Sequence, residues 1–166
     1  MMRAFRFCSA WCLFACLFAF AAHAAEPAPS LHVVVDGKTT VYDRAALAAL
    51  PQAKVTAATH DEKPSVWSGV ALAELLRHAG ALDKPLRGKG LALFVRVTAT
   101  DHYQAVFALS ELDPSIVGRT VLLADARDGQ ALAADGPFRL VVPDDKRAAR
   151  WVRGIVSIEV VDGAAP

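Results

Sequence analysis

Gly136-Pro137-Phe138-Arg139-Leu140-Val141-Val142-Pro143 is a run of apolar residues with a chain breaker at each end. Asp135-Gly136-Pro137 is a turn: glycine tolerates a left-handed backbone, and the proline ring presets φ. Residues 138–142 are then an apolar strand, stopped by Pro143, which has no N–H to give to a ladder. The one charge inside that strand is Arg139.

Working outward, residues 144–150 read as a basic turn or short helix, and residues 152–161 as a final strand. Upstream, Asp128-Gly129 is a turn after a strand at 120–125. Two more strands, 91–98 and 103–109, are joined by a turn at 99–102, and a capped helical turn over 110–116 ends before Gly118. Trp67-Ser68-Gly69-Val70 leads into the clearest helix. There Val70, Leu72, Leu75, Leu76 and Ala79 share one face, and Gly80 stands where a C-terminal cap belongs. Nearer the N-terminus, residues 31–35 and 39–42 form a hairpin about Asp36-Gly37. Asp43 caps a helix over 44–50 ended by Pro51, and residues 54–59 read as a buried strand before a polar loop at 60–66. About eight short strands and three or four short helices make an α+β class, a single mixed-sheet domain and not a regular βαβ array.

Residues 1–24 have the three parts of a cleavable secretory signal. Arg3 and Arg6 come first, an apolar run from 7 to 22 follows, and Ala22-His23-Ala24 supplies the small residues before the cut. The apolar core is short for a membrane span of roughly 20 residues, and no basic stop follows it. Leu13-Phe14-Ala15-Cys16 only faintly resembles a lipoprotein box, because Phe14 is bulky and the apolar core runs on past Cys16. Residues 25–30, Ala-Glu-Pro-Ala-Pro-Ser, form a linker. Cys8, Cys12 and Cys16 are the only cysteines, so cleavage removes every thiol. The 142 residues that remain carry 16 Lys+Arg against 17 Asp+Glu, a balance of −1. Nucleic-acid binding, which needs a basic stripe, and electrostatic membrane binding are both disfavoured.

The order of signals from Trp67 onward resembles the oxidoreductase molybdopterin-binding domain, the fold of sulfite oxidase and of the periplasmic methionine-sulfoxide reductase catalytic subunit. The elements that carry the resemblance are Trp67-Ser68-Gly69-Val70-Ala71-Leu72 with Leu75-Leu76 and Gly80, and Thr100-Asp101-His102-Tyr103. Leu123-Ala124 with Asp128-Gly129, the 136–143 stretch, and Arg150-Trp151-Val152 complete the set. The resemblance covers roughly residues 50–161, within a molybdopterin-binding-like α+β domain placed at 31–162. It implies a molybdopterin cofactor in a cleft. Arg139 matches the arginine of the family's Gly-Pro-x-Arg strand. Lys146 and Arg150 match basic residues that contact the pterin phosphate, and the Asp101–Tyr103 turn approaches the pocket. The family's metal-ligating thiolate falls in the stretch 55–60, Val-Thr-Ala-Ala-Thr-His, which holds no cysteine. His60 is the one nitrogen donor there, and a hydroxyl or imidazole is a poor substitute for a soft thiolate.

Each assignment has a plainer rival. Lys146, Arg147, Arg150 and Arg153 also read as a solvated basic face paired with Asp144 and Asp145. Asp101 also reads as a turn cap with Tyr103 packed in the core, and Trp67 and Trp151 as core residues. No Gly-x-Ser-x-Gly elbow and no His-x-x-x-His pair is present, so neither a hydrolase nor a metal-ligand set is indicated. The expectation is an extracytoplasmic, periplasmic protein of this fold that takes a pterin or another small anionic ligand. The alternative is a non-catalytic module, bound to a periplasmic protein partner, that kept the fold and lost the molybdenum site. No membrane contact is expected after cleavage.

Overall fold

The computed structural model describes residues 29–59, 62–133 and 136–164. The signal peptide, most of the linker and His60 lie outside the described residues.

Strands β1 (Ser30–Val35) and β2 (Lys38–Asp43) form the expected hairpin. Asp36 and Gly37 both take positive φ, 50° and 74°, the turn geometry that matches the twist of the flanking strands. Asp43 accepts a 2.7 Å hydrogen bond from the Ala46 amide and so starts helix α1 (Arg44–Ala48). Strand β3 (Gln52–Ala57) and strand β4 (Ser65–Ala71) follow, then helix α2 (Leu72–His78), whose Leu72, Leu75 and Leu76 are buried. Strands β5 (Leu93–Ala99) and β6 (Gln104–Ala108) and helix α3 (Leu109–Leu112) come next. Strands β7 (Leu122–Arg127), β8 (Gln130–Ala131), β9 (Arg139–Val141) and β10 (Ile155–Asp162) complete the chain, with a 3₁₀ turn at Ala148–Arg150.

The strands make two sheets. One runs β2-β1-β10-β5-β6, with β1 and β10 parallel and the other pairs antiparallel. The other runs β3-β4-β7-β8, with β9 also paired to β7. The mixed sheets and few short helices are the α+β class expected. Leu31, Val33, Trp67, Phe107, Phe138, Leu140 and Ile158 belong to one buried cluster that both sheets share.

Three local expectations are corrected. The 54–59 strand is not buried: β3 is a sheet edge, Lys54 and Thr56 are exposed, and within β3 only Ala57 is buried. Val70 is extended, not helical. It continues β4, which pairs with β7, and α2 starts two residues later. Gly69 explains why β4 continues through it: a Cβ there would lie 2.1 Å from the Leu123 carbonyl oxygen, so only glycine lets β7 come this close. Finally, the described residues form ten strands, not about eight, because residues 65–71 form β4 and the Asp128-Gly129 turn closes a hairpin onto the two-residue β8.

Candidate functional site

The core beneath the site is a ladder of rings and guanidiniums. Trp67 comes from β4, and Trp151 from the segment that follows the 3₁₀ turn. Their rings meet edge to face at 5.9 Å and 89°. Each indole N–H is used within the protein: Trp67 Nε1 donates to the Ala57 carbonyl at 3.2 Å, and Trp151 Nε1 to the Val142 carbonyl at 3.0 Å. Arg139 is only 9% exposed, and its guanidinium lies 5.0 Å from the Trp67 ring and 5.7 Å from the Trp151 ring. Arg127 approaches Trp67 as well, at 4.9 Å.

Backbone geometry then brings a second cation alongside. Leu140 N–H donates to Val152 O at 2.8 Å and Ile155 N–H to Phe138 O at 3.2 Å, and between them Arg139 and Arg153 form an antiparallel bridge. This approach needs glycine on the facing chain. Gly136 has φ +77°, and a Cβ on it would come 2.6 Å from the Cα of Gly154.

Arg139 and Arg153 line a cavity of about 350 Å³. Ala148, Ala149, Trp151 and Val152 form its apolar wall. The turn after β5 also lines it, contributing Asp101 and Tyr103. The turn is anchored at its base, where Thr100 N–H donates to Gly154 O at 2.9 Å. Within it, Asp101 accepts from the Tyr103 amide at 3.0 Å, and His102 takes a left-handed φ of 67°. Tyr103 is half exposed. Its hydroxyl donates to the Ala149 carbonyl at 2.7 Å and joins the turn to the apolar wall.

The structure therefore gathers Arg139, Asp101 and Tyr103 around one cavity. His102 shares the turn but is not among the lining residues. Lys146 is exposed and also lies outside the lining. Arg150 is engaged elsewhere: its Nε and Nη2 grip Asp145 at 2.8 and 2.7 Å, its Nη1 reaches Glu111 at 2.9 Å, and it sits 4.4 Å over the Phe107 ring. The bond to Asp145 holds its pKa above the ordinary arginine value, against the opposing effect of burial. Glu111 bonds Arg119 as well, so one carboxylate ties two cations. Of Arg139, Lys146 and Arg150, the cavity therefore gathers Arg139 alone. The cation that does join Arg139 is Arg153, which in sequence is one more member of a basic run. Its β-bridge to Arg139 is set by the glycine contact, which residue spacing does not reveal.

Two sheets sharing one core, with a cleft beside the strand that carries Arg139, define the class of protein: a single two-sheet α+β domain. Residues 52–166 match the oxidoreductase molybdopterin binding domain, and the chain belongs to that family. The crystal structure of the sulfane dehydrogenase SoxCD from Paracoccus pantotrophus is similar in fold, with a TM-score of 0.63 and 20% sequence identity. The match covers 81% of this chain and 38% of that one, so this chain spans well under half of the protein it resembles. A search of curated proteins finds no match. No helix among the described residues is long and apolar enough to cross a membrane.

The family implies molybdopterin, but the donor set here does not fit a molybdenum centre. Every cysteine lies within residues 8–16, and the stretch where the resemblance places the thiolate, residues 55–60, holds none. Among the described residues no three His, Cys, Asp or Glu side chains group to hold a metal ion. The groups that do converge, two guanidiniums beside an apolar wall, suit an anion.

Proposed function

We propose that the protein is exported and that its cavity binds an anionic ligand, a pterin or another small anion, without running molybdenum redox chemistry through its own residues. The observation that carries this reading is the cavity on which Arg139, Arg153 and the Asp101–Tyr103 turn converge. A buried guanidinium held in place by two indoles is preorganised for a carboxylate or phosphate, because its orientation is set before the ligand arrives. Export is supported by the order of charge, apolar run and small residues in the first 24 positions.

The test is metal and small-molecule analysis of the protein purified from its native cell envelope. An anionic molecule in stoichiometric amount, molybdenum far below one per chain, and an N-terminus at Ala25 are the expected results. Stoichiometric molybdenum would overturn the reading of the cavity, and an intact leader would overturn export.

A second reading, an interaction module that kept the fold, is favoured by Val41 and Val106. They are 55% and 50% exposed on β2 and β6, the two edge strands of one sheet. Unpaired edges bearing apolar side chains are templates for another chain. Stoichiometric co-purification of a protein, lost in Val106→Lys, would select this reading.

A further inference from the structure

We infer that the outer face of the sheet β2-β1-β10-β5-β6 docks a second copy of this chain. The inference goes beyond both readings above: it needs neither the cavity nor an unpaired strand edge. One face of this sheet is core, where Leu31, Val33, Val95, Val97 and Ile158 are buried. Side chains alternate across a strand, so their neighbours point the other way. Val34, Phe94 and Val161 are on that second face. They are half-buried, yet they belong neither to the core cluster nor to the side chains packed against it. The register sets Val34, Glu159, Arg96 and Val106 in one row across β1, β10, β5 and β6. Phe94 and Val161 are direct partners in the next row. Arg96 reaches Glu159 at 3.3 Å and lies 5.7 Å over the Phe94 ring, and the two charged side chains are 36% and 42% exposed. The middle of the face is thus apolar around one cation and one anion.

That pattern selects the occupant. A two-fold interface requires a patch that complements itself. A two-fold axis along the strands, between β5 and β10, lays Arg96 over Glu159 of the second copy and Glu159 over its Arg96. The same operation lays Val34 over Val106 and Phe94 over Val161, apolar on apolar. The strands of the two copies then run aligned, an ordinary packing for two sheets. A partner of strong net charge gains nothing from a face whose two charges cancel. Four overlapping strands about 4.8 Å apart, over about six residues each, give a footprint of about 400 Å² per copy before side-chain relief is counted. That is the low end of specific interfaces, so the dimer belongs to the weak, reversible class.

Sedimentation of the purified protein over about 1–500 μM tests this, and the wild type is expected to dimerise with a Kd of about 10–100 μM. Arg96→Glu and Glu159→Arg should each weaken self-association by about tenfold or more, because each sets like charges opposite one another. An equal mixture of these two variants should associate at least as tightly as the wild type, since one then presents two anions and the other two cations. A role confined to the pair within one chain would not produce that rescue. Val106→Thr, which keeps the branched shape at a half-exposed position, should weaken the dimer by about threefold. The Arg96–Glu159 pair is solvent-accessible, so circular dichroism should show all three variants folded. A wild type that stays monomeric, any of the three variants with unchanged self-association, or a mixture no tighter than its parts would overturn the inference. Recovery from the cell envelope of a complex with a different protein, abolished by Arg96→Glu, would overturn it too.

Discussion

Arg139 and Arg150 are held by opposite means. Arg139 lies over two indoles, nine-tenths buried, on a short strand that backs a cavity. Arg150 is bound to two carboxylates and turned onto the Phe107 ring. Aromatic faces fix the plane and position of a guanidinium, so Arg139 is set between two rings at the edge of the cavity. Carboxylates at hydrogen-bond distance neutralise the cation they hold, and Arg150 becomes a structural clamp between α3 and the 144–150 segment. The same residue type thus lines a cavity in one place and ties a scaffold together in the other.

The largest expected effect breaks the aromatic side. Trp67→Ala removes the ring that Arg139 and Trp151 pack on and the donor to Ala57 O. Filling a fully buried site with alanine should cost about 3–5 kcal/mol, measured by chemical denaturation. A loss below 1 kcal/mol, on the same scale of core truncations, would mean that the ladder is not what holds Arg139. Next comes the carboxylate side. Glu111→Gln leaves one acceptor where Arg119 and Arg150 shared a charge, and all three side chains are less than a third exposed. The expected cost is about 1–2 kcal/mol by the same measurement. Cavity binding should survive this change if the two regions are independent.

How much of this was legible in the sequence differs by scale. Local devices were plain: the Asp36-Gly37 turn, the Asp43 cap and the apolar face of α2 each follow from residues a few positions apart. The resemblance also led to Arg139 and to the 101–103 turn, which do line one cavity. What failed depends on contacts between distant segments. The exposure of β3 follows from its place at a sheet edge, which alternation of small and β-branched residues does not encode. The pairing of Arg150 with nearby Asp145 was legible as the plainer rival, but its second partner, Glu111, is 39 residues away and was not. Arg153 is exposed as its basic run suggests, but its bridge to Arg139 arises where Gly136 meets Gly154, which the run does not show.

The smallest expected effect separates the two regions by pH. Asp113 follows directly after α3, the helix that carries Glu111, and its carboxylate accepts from the Ser115 amide at 2.8 Å. That backbone bond, with a further one from the Ser115 side chain, holds its pKa below the ordinary 3.8. A carboxyl lowered by folding stabilises the native state in full above its unfolded value, and this contribution is lost as the pH falls through the lower folded value. Below pH 3.8, therefore, the Ser115 amide resonance should shift and α3 should loosen at its end. Asp113→Asn should remove that pH dependence. The indole resonances of Trp67 and Trp151 should stay in place over the same range, because their donors bond to backbone carbonyls that do not titrate. Indole signals that moved together with Ser115 would show that acid reaches the aromatic ladder through α3, and the two arginine environments would then be one cooperative unit.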